Sequence, residues 1–242
     1  MKVFITGSSD GIGKLAALKL LEQGHHVVFH ARNPQRAKQL QSQVPNAERI
    51  LIADLSSIEE TKRLADEVNT LGKFDTIIHN AGVYTGSTKE TIFRVNCLAP
   101  YILTCLIHKP SRLIYISSGM HRSGKINWKT ISNGVGYSDS KLLLNMLAMA
   151  VASKWVDVYV NVVNPGWVPT KMGGRNAPDD LQMGAETQVW LAVSDDSKTK
   201  VSGKYFFHKQ EADYNPDMFD TSQQTKLLEY CEQISNVHFL NS

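Results

Sequence analysis

Short runs of β-branched and apolar residues alternate with stretches of helical periodicity along the whole chain. Seven runs read as strands: residues 2–6 (KVFIT), 26–31 (HVVFHA), 48–53, 74–79 (FDTIIH), 112–117 (RLIYIS), 157–163 (DVYVNVV) and 203–207 (GKYFF). Between and after them, apolar positions recur at helical spacing over 12–23, 34–43, 57–71, 88–107, 135–154, 180–194 and 220–235. Steady alternation of this kind marks βα units joined into a parallel sheet. Several runs are apolar at consecutive positions, as expected when helices cover both faces. The pattern predicts an α/β, three-layer fold: a seven-stranded parallel sheet with helices on both faces.

No charge run, Pro/Gly/Ser linker or fixed-period repeat divides the 242 residues, so a single domain over 1–242 is expected, with disorder only at the last few positions. The richest loop, 164–180, follows a strand's carboxyl end, where open α/β sheets bind ligands. It carries three prolines and three glycines, and a small substrate loop is expected near 171–184. The net charge of +3 is too small and too dispersed to point to a nucleic acid. Cys97, Cys105 and Cys231 are odd in number and lack metal-ligand or CxxC spacing, which fits a reducing compartment and no metal. Nothing resembles a signal peptide, and no apolar run approaches the roughly 20 residues a bilayer requires. A cytoplasmic location without a transmembrane segment is expected.

Directly after the first strand stands Thr6-Gly7-Ser8-Ser9-Asp10-Gly11-Ile12-Gly13, which opens into a helix. That order turns the unpaired amides of a helix N-terminus, and its positive dipole end, toward a pyrophosphate. Gly7, Ser9, Gly11, Ile12 and Gly13 are therefore candidate cofactor contacts in a Rossmann-type arrangement. The ordinary alternative is a strand-to-helix turn that needs positive φ. At the end of the second strand, Ala31 offers no carboxylate for ribose hydroxyls, while Arg32 can bind a 2′-phosphate, so NADP(H) is favoured over NAD(H). Asp10 brings a negative charge nearby, or else caps the helix at Gly11. In Ala53-Asp54-Leu55 the carboxylate is placed to accept from an adenine amine, or to serve a helix start. Asn80-Ala81-Gly82 is by itself a small-residue turn with a polar amide.

Tyr137-Ser138-Asp139-Ser140-Lys141 begins a long helix read as amphipathic, and positions i and i+4 put phenol and ammonium on one face. A neighbouring cation favours the phenolate, so a lowered tyrosine pKa suited to acid–base work is expected. Upstream, Ile116-Ser117-Ser118-Gly119 brings hydroxyls to the sheet's carboxyl edge, where Ser118 can bond a substrate oxygen. His121 follows closely enough to raise a Ser/His hydrolase as a rival. Neither serine has the GxSxG setting of an exposed nucleophile.

Together these residues resemble the short-chain dehydrogenase/reductase family over nearly the whole chain. TGSSDGIG is similar to its TGxxxGxG loop, 80–82 to its NAG motif, YSDSK to its YxxxK, and Pro165-Gly166-Trp167-Val168-Pro169-Thr170 to its PGxVxT segment. SSGMHRSGKINW, NPGWVPTKMGG and SGKYF are similar to the retinol-dehydrogenase-like branch. The resemblance implies that Asn96 supports a proton-relay water, Ser118 orients the carbonyl or hydroxyl, and Tyr137 exchanges the proton. Lys141 would bond the nicotinamide ribose and lower the tyrosine pKa. Asp54, Leu55, Asn80, Ala81 and Gly82 would line the adenine and ribose side, with Pro165, Gly166, Val168 and Thr170 at the nicotinamide.

The resulting expectation is an NADP(H)-dependent oxidoreductase interconverting a carbonyl compound and an alcohol, with Asn96, Ser118, Tyr137 and Lys141 as catalytic residues. A non-catalytic NADP-binding sensor or scaffold is the alternative, and an epimerase or dehydratase a further rival. Trp167, Met172, Met183 and Trp190 are candidates for an apolar pocket, and the partner expected is a small-molecule carbonyl or alcohol of apolar character. Relatives suggest a homodimer or homotetramer through helices 88–107 and 135–154, although no sequence feature fixes the assembly.

Overall fold

The computed structural model describes residues 1–239, so the last three positions of the expected 1–242 domain lie outside the described residues. Its elements run β1 (Lys2–Ile5), α1 (Gly11–Glu22), β2 (His26–Ala31), α2 (Pro34–Gln43), β3 (Arg49–Ile52), α3 (Ile58–Thr70), β4 (Thr76–His79), α4 (Lys89–Phe93) and α5 (Ala99–Leu106). There follow β5 (Arg112–Ile116), α6 (Tyr137–Lys154), β6 (Tyr159–Asn164), α7 (Leu181–Val193), β7 (Lys204–Phe207), β8 (Gln210–Glu211) and α8 (Thr221–Ser235). The strand order is β3-β2-β1-β4-β5-β6-β7-β8, parallel from β3 to β7.

The consecutive apolar runs are explained by the two faces of this sheet. Phe4, Val28, Leu113, Tyr115, Val160 and Val162 point into a core shared with Leu64 of α3, Tyr101 of α5, Leu142 of α6 and Leu227 of α8. Val3, Ile5, Val27, Phe29, Ile114 and Ile116 alternate with them toward Ala16 of α1, Leu40 of α2 and Val189 of α7. Each of β1 to β7 feeds both cores because successive side chains point to opposite faces. Side-chain caps set helix entries: Asp10, Asn33, Ser57 and Asp180 accept backbone N–H bonds at the starts of α1, α2, α3 and α7.

Three expectations are corrected. The sheet has eight strands, because β8 turns back antiparallel to β7 through His208 and Lys209, both at positive φ (49° and 62°). Two residues leave no alternation to read, and His-Lys is not a usual left-handed turn pair. The helix expected over 88–107 is α4, a π-helical turn at Arg94–Leu98, then α5. Finally, α6 is not amphipathic. Every residue from Ser140 to Val151 is buried, since α8 and the turn before it cover the side facing away from the sheet.

Candidate active site

Strand order reverses between β1 and β4, and a cavity of about 1070 Å3 opens above their carboxyl ends. A crevice at such a switch point is the usual ligand site of an open α/β sheet. Of the expected catalytic and cofactor residues, Asn96 alone is not on the cavity wall. Gly7 has φ +65°, and a Cβ there would stand 2.8 Å from the Ala81 Cα. At Gly13 a Cβ would run into the Asn80 amide, so close approach of α1 to β4 demands glycine. Asn80 Nδ2 donates to the carbonyls of Thr6 (2.9 Å) and Gly7 (3.1 Å), which ties the end of β4 to the glycine loop. The amides of Ile12 and Gly13 fall in the first turn of α1, where no intrahelical acceptor exists. This cradle, too tight for side chains and lined with free amides, fits a pyrophosphate.

Asp10 does cap α1, accepting from the Gly11 N–H at 2.9 Å. Its other oxygen takes Arg36 Nη1 at 3.1 Å and Lys171 Nζ at 2.6 Å. Burial pushes this carboxyl up, but Lys171, the Gly11 amide and Arg36 together hold it below its ordinary value. Arg32 is exposed on the same wall. The sequence reading missed Arg36, the third residue of α2; a second cation four positions after Arg32 was the available signal. The Asp54 carboxylate accepts from Ser56 N–H (2.9 Å) and Ser56 Oγ (2.8 Å), while Ser57 caps α3.

At the other end, Tyr137 is the first residue of α6, and Lys141 one turn on donates from Nζ to the Ile116 carbonyl at 2.8 Å. The ammonium stands 5.7 Å from the centre of the Tyr137 ring. Burial brings the lysine down to about 8. Burial also pushes the Tyr137 phenol up to about 12, against a hydrogen bond with Ser118 that favours the phenolate and with Tyr84 adding to the rise. The expected lowering is therefore absent. Loss of hydration outweighs the neighbouring groups, and the phenol is protonated at neutral pH.

Asn96 lies in the π turn, fully buried. Its Nδ2 donates to the Val83 carbonyl and to Ser140 Oγ, each at 3.0 Å, and its Oδ1 accepts from Val83 N–H at 2.8 Å. The side chain thus joins the strand β4 exit to α6, behind Lys141. His121 is no base for Ser118: its Nδ1 bonds the Ser118 backbone carbonyl at 2.8 Å, and its Nε2 accepts from Asn215 N–H at 3.1 Å. That arrangement removes the hydrolase rival. Among the described residues no cluster of three or more His, Cys, Asp or Glu forms a metal site, and no helix is long and apolar enough to cross a membrane.

The expected apolar pocket is half right. Trp167 and Met172 line the cavity, but Met183 projects outward from α7 and Trp190 packs edge-on against Phe206 in the sheet core. Missed were Tyr84, Met120 and Tyr205. The Tyr84 ring lies tilted by 32° against Tyr137 with ring centres 4.3 Å apart, and the Tyr137 hydroxyl lies 3.9 Å from Met172 Sδ. An aromatic two residues beyond Gly82 was the readable hint.

The description "short chain dehydrogenase" covers a family model that matches residues 1–181. The chain belongs to this family. An uncharacterized oxidoreductase of Emericella nidulans is 45% identical over 98% of both chains, and the short-chain dehydrogenase chyC of Penicillium rubens is 38% identical over 98% of both. Mouse retinol dehydrogenase 14 is 28% identical over 95% of this chain and 84% of its own, in keeping with a retinol-dehydrogenase-like branch. Among solved structures, NADPH-bound carbonyl reductase from chicken fatty liver shares the fold with a TM-score of 0.70, at 22% identity over 88% of this chain and 98% of the other. The short-chain dehydrogenase fold and its oxidoreductase class thus apply to this protein.

Proposed function

We propose that residues 1–242 form one dinucleotide-binding domain that reduces an apolar ketone or aldehyde to the alcohol with NADPH. The carrying observation is the convergence of a protonated, half-buried Tyr137, the Ser118 hydroxyl and the Lys141 ammonium at one end of a cleft whose other end is a glycine cradle. When bound, the nicotinamide supplies the hydride. Tyr137 holds the proton that the carbonyl oxygen receives as it becomes an alkoxide, a far stronger base than a phenolate. Ser118 Oγ donates to that same oxygen and fixes its place. Lys141, held by the Ile116 carbonyl, supports the ribose side and offsets the charge left on the phenolate. Asn96 keeps the β4 exit and α6 in register beneath it.

Two cations, Arg32 and Arg36, stand at the adenosine end with two carboxylates, Asp10, which already carries Lys171 as well, and Asp54, which is held by Ser56. That balance supports a 2′-phosphate there. Tyr84, Met120, Trp167 and Met172, each at least 40% exposed, rim the substrate end and support an apolar substrate. The experiment is a screen of NADPH oxidation over a panel of aliphatic and aromatic carbonyls, with the alcohol identified by mass. Stoichiometric alcohol formation supports the reading. Tight cofactor binding with no turnover across the panel favours the sensor or scaffold, and product formed without net NADPH loss favours an epimerase or dehydratase.

A further inference from the structure

One buried titratable group takes no part in the proton chemistry. His30, the penultimate residue of β2, is 2% exposed and uses both ring nitrogens. Nδ1 faces the Gly7 N–H at 2.9 Å, and Nε2 faces the Ala53 carbonyl at 3.0 Å. A backbone N–H only donates and a carbonyl only accepts, so these contacts fix the neutral tautomer with its proton on Nε2. Burial agrees, bringing the ring down to about 4. The backbone adds two more ties: His30 N–H donates to Ser8 Oγ at 2.9 Å, and Ser8 N–H donates to the His30 carbonyl at 3.1 Å.

The ring ties β2 to the segments that follow β1 and β3, beside a backbone bond from Ala53 N–H to the Ala31 carbonyl at 3.1 Å. β1 pairs with β2 only as far as Ile5 opposite Phe29, and β2 with β3 as far as Ala31 opposite Ile52. Gly7 and Ala53 lie beyond those points, and each begins a cavity-lining segment: the glycine loop on one side, the Asp54 turn on the other. The Gly7 amide is also occupied by this bond, which leaves the anion-facing role to the first turn of α1.

We propose that His30 is a positioning residue that clamps the glycine loop to the Asp54 turn and so sets dinucleotide affinity. This rests on the reading of the cleft as a dinucleotide site. An aliphatic side chain would leave both backbone groups without their partner, and only the Ser8 and Ala53 backbone bonds would still hold the two segments to β2.

The test measures the NADPH dissociation constant of the full chain for wild type, His30→Leu, His30→Asn and His30→Gln, with kcat at saturating NADPH on a carbonyl from the panel. Asn places an acceptor where Nδ1 stands; Gln places a donor near Nε2. His30→Leu should weaken NADPH by about tenfold or more, the loss of roughly one hydrogen bond's worth of free energy, with kcat at saturation within about twofold of wild type. His30→Asn should recover more affinity than His30→Gln, because the Gly7 amide belongs to the loop that holds the phosphates. If His30→Leu does not fold, the Asn and Gln variants carry the test by that order. Equal affinity in wild type and His30→Leu overturns the proposal, as does an Asn variant no tighter than the Gln variant. Wild type that binds no nicotinamide dinucleotide at all refutes the dinucleotide reading itself and the clamp with it.

Discussion

Tyr137 illustrates how burial and neighbours compete at a single side chain. Its pKa of about 12 means that the proton is present at any physiological pH, which suits donation in the reductive direction better than abstraction. Arg36 carries a second prediction at this scale. Arg36→Ala should weaken NADPH about tenfold and leave NADH within about twofold, the cost of one charge-assisted bond to the extra phosphate; equal losses for both cofactors in titrations would remove Arg36 from that role. The YxxxK pair and the glycine loop were legible in the sequence because their geometry is local: four residues make one helical turn, and a strand, a glycine loop and a helix follow in order. The tyrosine's raised pKa, His30 and the Tyr84 ring contact were not legible, because each depends on segments that meet only after folding. Tyr84 reaches Tyr137 across 53 positions, and His30 joins the segments that follow two other strands.

Elements place these residues, and the interrupted helix between β4 and β5 is the clearest case. Its π turn adds a local register shift, a feature often found at functional sites, and thereby turns Asn96 toward Val83 and Ser140. Periodicity over 88–107 reads straight through such a turn, since one extra residue displaces the apolar stripe too little to break the pattern. Asn96→Ala leaves the Val83 N–H and carbonyl without partners in the protein interior. It should cost about 1–3 kcal/mol in urea unfolding and lower kcat as well; a variant of unchanged stability would show that the three bonds are dispensable. The β8 hairpin escaped detection for the opposite reason, since a two-residue strand has no period. Strand and helix order were otherwise readable, because strands apolar on consecutive positions announce a sheet covered on both sides.

Across the whole molecule, buried histidines tie stability to pH. His30 and His79 are both 2% exposed, and burial brings them to about 4 and about 3. Between those values and the ordinary 6.5 the unfolded chain binds more protons than the folded one, so stability rises with pH in that window and levels off above it. Each histidine should cost up to about 1.4 kcal/mol per pH unit below about 6.5. Urea midpoints at pH 5 and pH 7 check this, and a midpoint unchanged between them would contradict it. The buried faces of α5 and α6 bear on assembly in the same way. From Ala99 to Thr104 and from Ser140 to Val151 no residue is exposed, so a homodimer or homotetramer through 88–107 and 135–154 would use the ends of those stretches. Sedimentation against the chain mass of 27.0 kDa measures the assembly.

The central claim, that this cleft reduces a carbonyl with Tyr137 as the acid, is tested most directly by one comparison. NADPH oxidation with the best carbonyl of the panel is measured for wild type and Tyr137→Phe, each at saturating cofactor. Loss of the phenolic proton should lower kcat by about 100- to 10,000-fold while NADPH affinity stays near that of wild type. A Tyr137→Phe protein that keeps wild-type turnover would contradict the account.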